Sequence, residues 1–125
     1  MDTRDKIVEL SEAAQQFLAG KWTVVPGLFD PLTAAQAKRI GELSETGRKL
    51  AAIVLNSKQT LLPAGARAAL VAGLRAVDLV AIAHDEEWRQ ALRASQRVRV
   101  IEDPQGEAAR SAEFVRFVID RQKSA

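Results

Sequence analysis

Residues 22–40 read WTVVPGLFDPLTAAQAKRI. The run WTVVP at the start of this stretch is β-prone and ends just before Gly27. From Thr33 onward apolar side chains recur at helical spacing, which predicts a helix over 33–46. The stretch is therefore a strand, a turn and a helix in succession.

Further strands are predicted along the rest of the chain. The continuous apolar run LAAIVL at 50–55 is typical of a strand covered on both faces, and DLVAIA at 78–83 predicts another. In RVRVI at 97–101 arginine alternates with apolar residues, so this strand cannot have both faces buried. We therefore expect it at or near an edge of the sheet.

Helices are predicted around and between these strands. They cover 1–19, 33–46, a segment whose first residue is Pro63, a short segment from Asp85, and 108–122. The first helix is capped by Asp2 or by Ser11. Strands alternating with helices predict an α/β fold, a Rossmann-like parallel sheet of four or five strands with helices on both faces.

The composition predicts one globular domain without a membrane segment. The chain has 125 residues, 47% hydrophobic and 27% charged, which is the size and make-up of a single domain over 1–125. Arg67, Arg75 and Asp78 interrupt its most apolar stretch, and no signal core precedes them. We therefore expect no membrane partner and a cytoplasmic location.

Residue counts exclude several kinds of site. The absence of cysteine excludes disulfides, thiolate zinc sites and cysteine nucleophiles, and the single histidine, His84, excludes sites that need two imidazoles. The acidic residues that follow it at 85–87 favour helix capping over metal binding. The net charge is only +2, and the arginines at 89–99 have no aromatic residues interleaved for base stacking, so nucleic acid is not favoured as a partner.

In sheets of this kind ligands bind beyond the carboxyl ends of the strands. In this chain the segments at the predicted carboxyl ends of the strands are 27–36, 56–63, 83–87 and 102–106. We call these four segments the strand-end rim. Chemistry is expected in these four segments.

Several rim residues carry motifs of a known family. Gly27, Phe29 and Asp30 fit a G-x-F-D strand-to-helix turn, Asn56 and Ser57 fit an Asn-Ser strand end, and Arg67, Val77 and Asp78 fit an arginine-started helix that runs into Val-Asp. In these motifs the chain resembles the cytidylyltransferase-like nucleotidyltransferases, most of all the adenylyltransferase domain that makes ADP-heptose precursors. The resemblance includes a leading helix over 1–20, is best over 21–83, and is lost in a divergent, shortened part over 84–125.

The resemblance implies a nucleotidyltransferase-like fold and reaction. An oxygen of a sugar phosphate or alcohol phosphate would attack the α-phosphate of ATP or CTP, with Mg²⁺, and release pyrophosphate. The residues that the resemblance implies for nucleotide binding are Gly27, Leu28, Phe29, Asp30, Asn56, Ser57 and Arg67.

The chain departs from the family at its catalytic positions. Thr33 and Gln36 stand where the family has two histidines that stabilise charge on the phosphates, and Lys58 stands where it has an aspartate. Thr and Gln donate hydrogen bonds but carry no positive charge. We therefore expect weak or lost catalysis, and the alternative is a non-catalytic nucleotide- or phosphate-binding or protein-interaction module on the same fold.

Two local alternatives stay open, and one association is expected. The segment 27–30 either cradles a phosphate or is only a turn, with Asp30 or Thr33 as the cap of the next helix. Arg67 either faces an anionic ligand or pairs on the surface, and surface pairing is favoured. The exposed strand at 97–101 and the apolar closing helix predict a homodimer.

Overall fold

A computed structural model of the chain describes residues 2–56, 60–84, 87–93, 95 and 97–101. The strands are β1 (Ile7–Val8), β2 (Trp22–Gly27), β3 (Lys49–Asn56), β4 (Leu79–His84) and β5 (Val98–Val100). The helices are α1 (Leu10–Ala19), α2 (Ala34–Glu42), α3 (Ala64–Ala72) and α4 (Glu87–Leu92). All five strands pair in parallel, in the order β1-β4-β3-β2-β5, which confirms the predicted Rossmann-like α/β sheet.

The central strand β3 shows why the run LAAIVL is apolar throughout. Ala51 and Ile53 belong to one hydrophobic core, together with α1 and α4, whereas Ala52 and Val54 belong to a second core with α2 and α3. Successive strand residues point to opposite faces of a sheet. Because helices cover both faces, both sets of side chains must be apolar.

Helix α1 docks through an aromatic pair. The rings of Phe17 and Trp22 meet edge to face with centroids 5.4 Å apart, and both side chains are buried. The indole N–H of Trp22 also donates a hydrogen bond to the carbonyl of Gln16 at 2.9 Å. The start of β2 is thereby fixed against the last turns of α1.

The N-terminal segment corrects the prediction of one helix over 1–19. A 3₁₀ turn, Thr3–Lys6, is followed by β1, and only then does α1 begin. Ile7 packs on one core and Val8 on the other, the alternation of a strand rather than of a helix. Asp2 caps the 3₁₀ turn by accepting from the backbone N–H of Arg4 at 2.9 Å, and no side chain caps α1.

Other boundaries differ from the prediction by smaller amounts. Helix α2 ends at Glu42 rather than Thr46, and Pro63 is the N-cap of α3 rather than its first residue. Among the described residues the edge position of the 97–101 strand is confirmed, because there β5 pairs with β2 alone. The closing helix over 108–122 lies outside the described residues, so the homodimer and the division at 1–20, 21–83 and 84–125 stay predictions.

Within the described parts of the chain, no helix is both long enough and apolar enough to cross a membrane.

Phe17 and Leu18 test the docking of α1. Phe17 is fully buried, whereas its neighbour Leu18 is 53% exposed. We expect Phe17→Ala to lower the free energy of unfolding by about 3–5 kcal/mol, since it empties a packed core site. Leu18→Ala should change it by less than about 0.5 kcal/mol. Urea unfolding of the two variants measures both values, and equal losses would contradict the packing of α1 described above.

Candidate functional site

The described part of the strand-end rim is built at the carboxyl ends of β2, β3 and β4. Gly27 ends β2 beside Val54, and Asn56 ends β3 beside His84. Helices α2 and α3 both begin at this edge, because each follows directly from the rim. The candidate residues Gly27, Leu28, Phe29, Asp30 and Asn56 therefore share one end of the sheet with Arg67.

The strand order changes direction at this edge. From β2 the chain proceeds to β3 and β4 on one side and returns to β5 on the other. The point at which strand order reverses is where open α/β sheets bind ligands. In this chain that point lies beside Gly27, between β2 and β5.

Pro26 limits what β2 can offer to β5. Among the described residues, β2 and β5 pair from Trp22↔Val98 to Val24↔Val100, followed by one hydrogen bond from Ile101 N to Val24 O at 2.9 Å. Along a parallel strand every second residue bonds to the same neighbour, so the backbone of Pro26, like that of Val24, faces β5. Because proline has no N–H, Pro26 cannot donate a hydrogen bond to β5.

Arg67 lies beneath the rim and is fully buried. Its Nη1 donates to the carbonyls of Leu28 at 2.7 Å and Leu55 at 2.8 Å, and its Nε donates to the carbonyl of Leu62 at 3.0 Å. One guanidinium thus ties the ends of β2 and β3 to the loop before α3. The favoured prediction of surface pairing is wrong.

A signal for this burial was present in the sequence. Helix α3 reads AGARAALVA and offers Arg67 no acidic partner within one helical turn. Its immediate neighbours in sequence are alanines, and its hydrogen bonds go to backbone carbonyls rather than to a carboxylate. Burial lowers the pKa of Arg67, and the nearby Asp30 carboxylate partly opposes that shift.

The Arg67 guanidinium also has an unmatched group. Nη2 is buried and has no hydrogen-bond partner among the described residues. A buried donor left unpaired costs about 1–3 kcal/mol. Three hydrogen bonds from Nε and Nη1 therefore position the side chain, and the unpaired Nη2 lowers the stability of the folded state.

Asp30 also holds the loop before α3, through its carboxylate. Its carboxylate accepts hydrogen bonds from the backbone N–H of Leu61 at 2.5 Å and of Leu62 at 2.8 Å, and the residue is 7% exposed. Asp30 therefore does not cap α2. Both of its oxygens hold the segment that leads into α3.

Thr33 and Gln36 form the capping box of α2. The hydroxyl of Thr33 accepts from the backbone N–H of Gln36 at 3.1 Å, and the side-chain oxygen of Gln36 accepts from the backbone N–H of Thr33 at 3.2 Å. Of the two predicted caps, the structure thus selects Thr33. The side chains of Thr33 and Gln36 thus bind the helix end and each other.

Phe29 turns the backbone between β2 and this helix. Its φ is 49°, in the left-handed region that non-glycine residues seldom adopt. Its ring is buried in the core beneath α2 and α3, while the carbonyl of Leu28 faces Arg67. Phe29 is thus a core residue of the turn.

The remaining candidates divide into exposed, half-buried and undescribed residues. Asn56 is half-buried and His84 is exposed, and Glu87 lies in the first turn of α4, where a carboxylate favours the helix dipole. Ser57 and Lys58, like the acidic residues at 85–86, lie outside the described residues. Among the residues that are described, no group of three side chains could hold a metal ion.

Comparison of the chain with models of known protein families and with curated proteins finds no match.

Arg67 generates a prediction about stability. Arg67→Met leaves three buried carbonyls and the Asp30 carboxylate without their cation, and we expect a loss of about 3–5 kcal/mol in the free energy of unfolding. Arg67→Lys should restore less than half of this loss, because an ammonium cannot reproduce the planar fork of donors.

Arg75→Met provides the matched control, since Arg75 is exposed at the end of the same connection. Its effect should stay within about 0.5 kcal/mol in urea unfolding. If the free energy of unfolding of Arg67→Met lies within about 1 kcal/mol of that of the parent chain, the guanidinium does not hold the rim together.

Proposed function

We propose that the chain is a nucleotidyltransferase-like protein of the cytidylyltransferase/adenylyltransferase type that binds a nucleotide and has weak or lost catalytic activity. The capping box carries this proposal. Thr33 and Gln36 occupy the positions of the family's two histidines, supply no positive charge, and are engaged with the start of α2. A developing charge on transferred phosphates would lack both of its expected stabilising groups.

Support for nucleotide binding comes from the backbone of the rim. Gly27 lies at the reversal of strand order, and α2 begins seven residues after it. The first N–H groups of a helix have no partners within the helix and favour anions. We assign the phosphates of the nucleotide to this helix start and to the backbone at Leu28.

The side chains of Asp30 and Arg67 act in this proposal as positioning residues. Each is buried and bonded to backbone groups, so each fixes the loops without touching the nucleotide. Asn56, half-buried at the end of β3, offers an amide that can hydrogen-bond a bound ligand.

Mg²⁺ has few ligands to gain from the described residues. Both oxygens of Asp30 accept from backbone N–H groups and are already committed. Mg²⁺ accompanying ATP or CTP would be held by the phosphates of the nucleotide, as is usual where few carboxylates are available.

The runner-up is a protein-interaction module on the same scaffold. The observation in its favour is that Asp30, Thr33, Gln36 and Arg67 all bond to the protein itself. It differs from the proposal in a measurable way, because it requires no nucleotide.

Binding of ATP or CTP should raise the melting temperature. A ligand at one hundred times its dissociation constant stabilises the folded state by about 2.7 kcal/mol. For a domain of this size we expect a rise of about 5 °C or more at saturating nucleotide. Differential scanning fluorimetry with and without Mg²⁺ measures it.

A pair of substitutions separates binding from stability. Ala35→Glu adds a carboxylate at the second residue of α2, where the carboxylate interacts favourably with the helix dipole but repels phosphate. The nucleotide-dependent rise in melting temperature should therefore fall by at least half. Ser11→Glu makes the same charge change at the second residue of α1, which follows the opposite edge strand, and should keep the full rise. No rise with either nucleotide in the parent chain would instead favour the interaction module.

Catalysis is expected to be undetectable or very slow. Loss of one preorganised charge-stabilising donor costs about 10²- to 10³-fold in kcat, and here two are replaced. The assay is pyrophosphate release from ATP or CTP with Mg²⁺ and a panel of sugar phosphates and alcohol phosphates. Rapid release by the purified chain would contradict the assignment of lost activity.

A further inference from the structure

The edge of the sheet opposite the strand-end rim carries a row of cations. Lys21, Arg48 and Arg97 each immediately precede a strand, respectively β2, β3 and β5. These three strands are parallel neighbours, and neighbouring strands lie about 4.8 Å apart. The topology thus brings three residues that are far apart in sequence to one edge.

These residues line a cleft of about 280 Å³. Its described lining consists of Lys21, Arg48, Arg97, Val98 and Arg99. Arg99 pairs with Glu45 at 3.0 Å, but the side chains of Lys21 and Arg97 have no hydrogen bond or ion pair to any described residue. The lining therefore has four positive charges, and the one carboxylate that contacts it is that of Glu45, which is not itself part of the described lining.

Arg48 gives this cleft a fixed donor. It donates to the carbonyls of Trp22 at 2.6 Å and Arg97 at 2.9 Å and to the hydroxyl of Thr23 at 3.3 Å. The turn before it closes with a hydrogen bond from Arg48 N to Glu45 O, and Gly47 supplies the φ of 85° that an L side chain would resist. The guanidinium is half-buried and held across β2 and β5 before any ligand arrives.

We propose that this cleft, which we call the basic cleft, binds a small, multiply charged oxyanion of the polyphosphate class. Three of its four cations have no counter-charge among the described residues, and converging cations create a positive potential that attracts anions. Guanidinium groups match phosphate oxygens through parallel hydrogen bonds. Val98 is the one apolar residue of the described lining, so recognition rests on charge rather than on an apolar moiety.

Size and aromatic placement favour a small ligand over a nucleic acid strand. The volume lies just below the range of pockets that hold drug-sized ligands. Trp22, the aromatic residue nearest in sequence, is only 3% exposed and cannot stack on a base. A short chain of phosphates can bind the row of cations without a larger pocket and without an exposed aromatic ring.

The basic cleft is separate from the proposed nucleotide site. The strands run from one to the other, so the two sites lie at opposite ends of β2, β3 and β5. The substitution Ala35→Glu at the rim therefore has no direct contact with the basic cleft.

Isothermal titration with inorganic tripolyphosphate tests the proposal. In the double variant Lys21→Gln/Arg97→Gln we expect affinity to fall about tenfold, because each removed charge costs a few-fold. The matched double variant Lys38→Gln/Arg75→Gln removes two exposed cations elsewhere and should change affinity less than twofold. The side chains of Lys21 and Arg97 make no hydrogen bonds to the described residues, so the two double variants should have equal melting temperatures.

Three results would overturn the basic cleft as a polyphosphate site. The first is no binding of tripolyphosphate to the parent chain, and the second is an equal loss in the two double variants, which would indicate net charge alone. The third is tighter binding, per phosphate, of a single-stranded DNA oligonucleotide, which would make the cleft a nucleic-acid interface. A loss in Ala35→Glu with none in the cleft variant would move the ligand to the rim and would also overturn the proposal.

Discussion

The guanidinium of Arg67 is the constraint on which the functional end of this molecule depends. A buried cation is tolerated only where hydrogen bonds replace its water, and here three backbone carbonyls do so. Those carbonyls belong to the turn after β2, to the end of β3 and to the loop before α3. The positions of all three segments therefore follow from one side chain, and Asp30 secures the third from the opposite direction.

This arrangement leaves the side chains of the rim bonded to the protein itself. Arg67 and Asp30 hold the loops, and Thr33 and Gln36 cap α2. None of these roles needs a reacting substrate. The groups that remain for a ligand are the first N–H groups of α2.

The layered fold could be predicted from sequence because burial on both faces leaves a direct signature. LAAIVL is apolar at every position, and the alternation in RVRVI identified an edge strand correctly. The strand at Ile7–Val8 could not be predicted in the same way, since two residues carry too little periodicity to separate a strand from the start of α1. Its existence depends on pairing with Val80 and Ala81, more than seventy residues away.

The site was predicted by position but not by role. From the sequence we predicted that Gly27, Asp30, Asn56 and Arg67 lie at one end of the sheet, and the structure places them there. It could not show that Arg67 points inward, because that depends on carbonyls of Leu28 and Leu55 that meet only in the folded chain. The cations before β2, β3 and β5 were likewise separate until the strand order placed them side by side.

In the proposed function the rim binds a nucleotide through its backbone while its polar side chains remain bonded to the protein. Titration of the ¹⁵N-labelled chain with ATP and with CTP, followed by NMR, tests this directly. We expect the largest shifts on the amides of Leu28, Ala34 and Ala35, while those of Leu61 and Leu62 stay protected from hydrogen exchange. Shifts absent at millimolar nucleotide, or confined to residues away from the carboxyl ends of β2 and β5, would contradict it.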